Sequence, residues 1–101
     1  MDFHNWLIED LKRLPADREE LNQIQNQLEL NYKQRSVADR DRLLFQLDER
    51  EREIIERIIV IGERFAVVSS DMGLSVREIH AVKDEAVEKL LRLRFGAGYR
   101  P

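Results

Sequence analysis

The chain contains no cysteine, which excludes a disulfide framework, a thiolate metal site and a thiol nucleophile. Two prolines and four glycines leave little material for tight β-turns. The two histidines, His4 and His80, lie far apart and form no H-x-x-x-H pair, and no glycine-rich run is spaced to cradle phosphates. No stretch approaches the ~20 consecutive apolar residues that a membrane-spanning helix needs. The opening MDFHNWLIED carries acids where a secretory signal carries positive charge. These absences set the first expectations: not an enzyme, no cofactor, no metal, no membrane contact, and a cytoplasmic protein.

What remains is helical material. The 101 residues are 43% hydrophobic and 37% charged, enough to support one compact domain. Leu, Glu, Arg and Gln, which keep their rotamer freedom in a helix, are plentiful. The expected class is all-α. A net charge of −3 argues against indiscriminate nucleic-acid binding, because that binding depends on Lys and Arg neutralising phosphates. The charge is uneven: residues 1–35 carry seven acids against five bases, residues 36–61 again seven against five, and residues 62–101 six against seven. Only the C-terminal part tips positive.

Asp2 is placed to cap a first helix whose Phe3, Trp6, Leu7, Leu11 and Leu14 share one face, with Pro15 as its stop. Asp17 and Glu20 form a D-x-x-E pattern that predicts a second helix, striped by Leu21, Ile24, Leu28 and Tyr32. Together these predict a helical hairpin over residues 1–35, a candidate partner-binding or dimerisation region. Leucines at 7, 14, 21 and 28 keep a seven-residue interval, but Asp10, Asp17 and Asn31 occupy the alternate seam and Pro15 interrupts the register, which favours the hairpin over a coiled coil. A short third helix is expected from Ser36, carrying Leu43, Leu44 and Leu47. Asp48 and Glu51 repeat the capping pattern and open a helix with Ile54, Ile55, Ile58, Ile59 and Ile61 that should end at Gly62. The run IIVIGERFAVV, residues 58–68, is rich in β-branched residues around a glycine, but an isolated two-stranded hairpin is marginal and the flanking signals are helical.

The last helix is expected from Ser75 to about Phe95, with an S-x-x-E start at Ser75 and Glu78 and a stripe of Ile79, Val82, Ala86, Leu90 and Leu93. The tail GAGYRP is expected to fray. Before that helix lies FAVVSSDMGLS. Ser69 is the small residue a helix-turn-helix needs at its crossing and Gly73 the residue with positive φ at its turn. Val68, Met72, Leu74, Ile79 and Val82 are the apolar contacts that hold the two helices together.

The run from LDEREREIIERI to MGLSVREIHAVKDEAVEKLLRL resembles region four of bacterial sigma factors. The elements that carry the likeness are Leu47, Arg50-Glu51-Arg52 and Ile55, then Met72-Gly73-Leu74-Ser75, then Ala86, Lys89 and Leu90. It spans roughly residues 43–95, within a helix-turn-helix domain expected over residues 36–101. A short chain joining such a module to a helical N-terminus is also similar to phage late-gene activators of the RinA and ArpU type. The resemblance implies a small DNA-binding transcription regulator of phage type whose partners are double-stranded DNA and the host RNA polymerase, with a homodimer compatible.

Carried over residue by residue, it implies that the start of the recognition helix faces the major groove, placing Ser75, Val76, Arg77, His80 and Ala81 at the DNA. Arg77 can make the bidentate guanine contact, His80 a single hydrogen bond, and Val76 and Ala81 can touch a thymine methyl. Sigma factors typically place two arginines and an acid or amide there, so the expectation is a target sequence other than a sigma site, or weak DNA binding supplemented by polymerase contacts. Arg64, Lys83 and Lys89 are candidates for phosphate contact, while Arg92 and Arg94 suit a helix C-terminus. The alternative is a non-catalytic sigma mimic or anti-sigma-like protein that keeps the shape but binds RNA polymerase or a sigma factor. The acidic total and the thin set of base-reading side chains favour it; Arg77, His80 and Lys83 favour DNA.

Overall fold

Every regular element of the computed structural model, which describes residues 2–96, is helical. Helix α1 (Phe3–Lys12) starts where Asp2 accepts a hydrogen bond from the Asn5 amide, and it buries Leu7 and Leu11. Pro15 lies in the first turn of α2 (Leu14–Glu20), where its missing N–H leaves no bond unmade. Pro15 therefore opens a helix as well as marking the end of the one before it.

Asp17 is consequently inside α2 and caps nothing, contrary to the D-x-x-E expectation. Helix α3 (Gln27–Phe45) instead begins at Asn26, whose side chain accepts from the Leu28 and Glu29 amides. The break between α2 and α3 shifts the phase of the apolar stripe. Leu28 and Tyr32 are left 81% and 75% exposed, and the leucine heptad ends with the break. No helix begins at Ser36, because α3 runs through it for 19 residues.

Arg40 explains why Ser36 and Asp17 take other roles. Only 5% exposed, it donates to the Ser36 carbonyl and hydroxyl and to the Asp10 carbonyl, and pairs with Asp17 at 2.7 Å. A buried guanidinium needs that set of acceptors to offset its desolvation. One side chain thus ties α1, α2 and α3 together.

The Asp48–Glu51 capping box forms with both hydrogen bonds and opens α4 (Glu49–Ile55). Helix α4 continues directly into a π-helical turn (Glu56–Ile61), which Gly62 ends at φ 86°. Residues 58–68 form no hairpin; they are this turn, a short link and the start of α5 (Phe65–Met72). Gly73, at φ 67°, leads into α6 (Val76–Phe95), capped by Ser75.

The main core gathers Leu7, Leu11 and Leu14 with Leu44, Leu47, Ile55, Ile59 and the inner face of α6. A second, smaller core holds Ile54, Val68 and Ile79. Adjacent residues of α4 therefore serve different cores, Ile55 the larger and Ile54 the smaller. On α6 the inward stripe is Ile79, Ala86, Val87, Leu90 and Leu91. Leu93, expected on that stripe, is 48% exposed, because Leu90 and Leu91 already turn the last two turns inward.

Candidate functional site

The corner between α5 and α6 is built from its turn outward. Ser69 donates through its hydroxyl to the Leu74 carbonyl, so the small residue of α5 holds the loop that follows it. Gly73 occupies the left-handed region, which glycine enters without a Cβ penalty. Ser75 accepts from the Glu78 amide at 3.1 Å and sets the direction in which α6 leaves. Beneath the corner, Val68 and Ile79 are fully buried against Ile54, with Phe65, Met72, Leu74 and Val82 around them. The sequence identified five of these contacts; Ile54, expected only on the apolar face of its own helix, and Phe65, the first residue of the FAVVSSDMGLS run, were not among them.

Val76, Arg77, His80 and Ala81 are all exposed. Their spacing puts them on one side of α6, over its first two turns. Arg77 makes no ion pair among the described residues, and neither does Arg64, the exposed residue that precedes α5. His80 is held differently: its ring stacks on Phe65 with centroids 4.0 Å apart and planes 11° from parallel. Lys83 is half-buried, its Nζ 5.6 Å from the Phe65 ring centre and 3.3 Å from Asp84. His80 and Lys83 are thereby brought together over the Phe65 ring, while Arg64 directly precedes Phe65 in the chain and Arg77 lies three residues before His80 on α6.

Lys89 is placed elsewhere. Nine residues beyond His80, at ~100° per residue, it stands on the far side of α6, where its ammonium contacts Glu51 at 2.9 Å. The Glu51 hydrogen bond, against some burial, raises the Lys89 pKa. That contact joins α6 to the capping box of α4. Ser75 is likewise occupied, its hydroxyl oxygen committed to the helix start. Arg94 lies over the Trp6 ring at 5.2 Å, linking the end of α6 to α1.

The corner is also fixed from behind by Arg57, which sequence reading did not single out. Its guanidinium takes both Glu63 oxygens, at 2.7 and 3.0 Å, and Asp71 at 2.6 Å. The fork joins the π turn, the link before α5 and the last turn of α5. The Arg57 hydrogen bond holds Glu63 below its ordinary value, against the effect of burial, while Glu63 and then Asp71 raise Arg57. Nothing in the local sequence pairs residues 57 and 71, since a turn separates their helices.

Among the described residues no helix is long and apolar enough to cross a membrane, and no group of three or more His, Cys, Asp or Glu side chains is placed to hold a metal ion. Comparison of the chain with known protein families, with curated proteins and with solved structures finds no match.

Proposed function

We propose that the chain is a small DNA-binding transcription regulator in which α5 and α6 form a sigma region four-like helix-turn-helix and the start of α6 enters the major groove. One observation carries the reading: Val76, Arg77, His80 and Ala81 form a single exposed face at the capped start of α6, flanked by Arg64 and Lys83. Bases are read from such a face, and phosphates are held by the cations at its edges. In this proposal residues 36–101 carry the module, and α1, α2 and the first half of α3, which runs unbroken across the 35/36 boundary, brace it and offer a surface to a partner or a second copy. The phage-type role beside host RNA polymerase rests on the sequence resemblance.

Selection of duplexes from a random pool tests the reading, with Arg77→Ala as control. The chain is expected to enrich a guanine-containing site, and Arg77→Ala to weaken that site by about 1–3 kcal/mol with its circular dichroism unchanged. Failure to enrich any duplex overturns the proposal.

A second reading has its own observation. Lys89 is engaged by Glu51 and Lys83 by Asp84, which thins the phosphate contacts, and exposed Val67 and Val76 give the corner an apolar character suited to protein. A sigma mimic that docks on RNA polymerase or a sigma factor through this corner would co-purify with polymerase and enrich no duplex.

A further inference from the structure

An exposed histidine near the start of a helix ordinarily samples several rotamers, and a contact it makes must first order it. His80 is exposed, yet its ring lies 11° from parallel with Phe65 at 4.0 Å. Phe65 is itself fixed. It is the first residue of α5 and packs on the small core of Ile54, Val68 and Ile79. One face of the imidazole is therefore covered by a ring anchored on the neighbouring helix, while the residue as a whole stays exposed.

We propose that Phe65 is a positioning residue that holds His80 as a pre-oriented edge reader of a purine in the major groove. A neutral imidazole has one N–H donor and one bare nitrogen, and the N7 acceptor is common to guanine and adenine. A ring whose plane is already set donates to N7 with little further loss of freedom. Arg77 lies three residues earlier, about 4.5 Å along the helix axis. The two side chains therefore address neighbouring base pairs: a guanine opposite Arg77 and a purine of either kind opposite His80. Lys83, whose Nζ lies 5.6 Å from the centre of the same Phe65 ring, adds a cation beside the pair without reading a base.

The inference rests on the DNA reading, and its test separates the two. Proton NMR of the intact chain is expected to show the His80 ring protons shifted upfield of those of His4, and Phe65→Leu, which keeps an apolar side chain on the core, is expected to abolish the shift. On the selected duplex, replacing the purine opposite His80 by a pyrimidine is expected to weaken parent binding at least fivefold. Phe65→Leu and His80→Ala are each expected to lower that ratio below twofold, the double variant to lower it no further, and Phe65→Tyr, which keeps the ring, to retain it. Coincident His80 and His4 ring shifts in the parent overturn the inference even if Phe65→Leu fails to fold. A Phe65→Leu chain that binds and discriminates like the parent overturns it and leaves the DNA reading standing. A parent that binds no duplex overturns both.

Discussion

Asp84 shows how a single residue sets the reach of the candidate reading face. It stands one turn beyond His80 on the same side of α6, exposed, with an oxygen 3.3 Å from Lys83 Nζ. A carboxylate there repels phosphate and also occupies the one lysine beside the Phe65 ring. On the proposed function, the carboxylate weakens the phosphate contact that Lys83 would make at this end of the face. Asp84→Asn removes the repulsion and frees Lys83, so it is expected to tighten duplex binding several-fold at low salt and to steepen the log–log salt slope by about 1. Fluorescence anisotropy at several salt concentrations checks both; unchanged affinity would show that α6 does not approach phosphate at this end.

Residues whose partners are near in sequence were legible before the fold was known. Asp2, Asp48 with Glu51, and Ser75 cap the helices expected of them, because a cap is a contact over three residues. Arg40, Arg57 and Lys89 were not legible. Arg40 reaches Asp10 across 30 positions, Arg57 reaches Asp71 across 14 and Lys89 reaches Glu51 across 38, and no periodicity relates such pairs. Asp17 misled for the same reason: its spacing to Glu20 imitates a cap, while burial pushes its carboxyl up and the Arg40 and Lys33 hydrogen bonds and charges outweigh that to hold it low.

At the scale of elements, two glycines define the α5 unit, each at a positive φ: Gly62 before it and Gly73 after it. A Cβ built on Gly73 meets nothing within 4 Å, so alanine there is opposed by the backbone alone. Gly73→Ala is expected to destabilise the chain by about 1–2 kcal/mol, and Gly73→Asn by less because Asn enters the left-handed region more easily. Thermal denaturation of the two variants checks the order; an Ala variant as stable as the parent would mean that the turn relaxes freely. The α5–turn–α6 arrangement was readable because glycine, small residue and apolar contacts recur at fixed offsets. Helix α3 was not, since the loss of Leu28 and Tyr32 to solvent depends on where α2 ends.

For the whole molecule, α4 and the π turn connect the two cores, and charge pairs hold the joints between them. The pairs make stability depend on pH in a stated direction. Glu63 is held low by Arg57 against burial, and Asp17 is held low by Arg40 and Lys33 although burial opposes it. Carboxyls depressed in the folded state contribute stability above their ordinary values of 4.5 and 3.8, and that contribution is lost as pH falls through those values toward the depressed ones. Denaturant unfolding is therefore expected to give a flat free energy from about pH 7 to pH 5 and a decline below about pH 4.5. Glu63→Gln is expected to flatten part of the decline, and a profile unchanged in that variant would remove Arg57–Glu63 as a cause.

The molecule carries a net charge of −3, so any attraction to DNA has to come from where its cations stand. Lys83 lies over the Phe65 ring, Arg64 precedes α5 and Arg77 stands in the first turn of α6, while Lys89 is turned away toward Glu51. Two or three neutralised phosphates correspond to a slope of log Kobs against log salt of about −2 to −3. Salt titration of the intact chain on its selected duplex measures that slope directly. A slope in this range, made shallower by Arg64→Ala and unchanged by Lys89→Ala, is the expected result. A slope near zero, or no binding at low salt, would contradict DNA recognition by this corner.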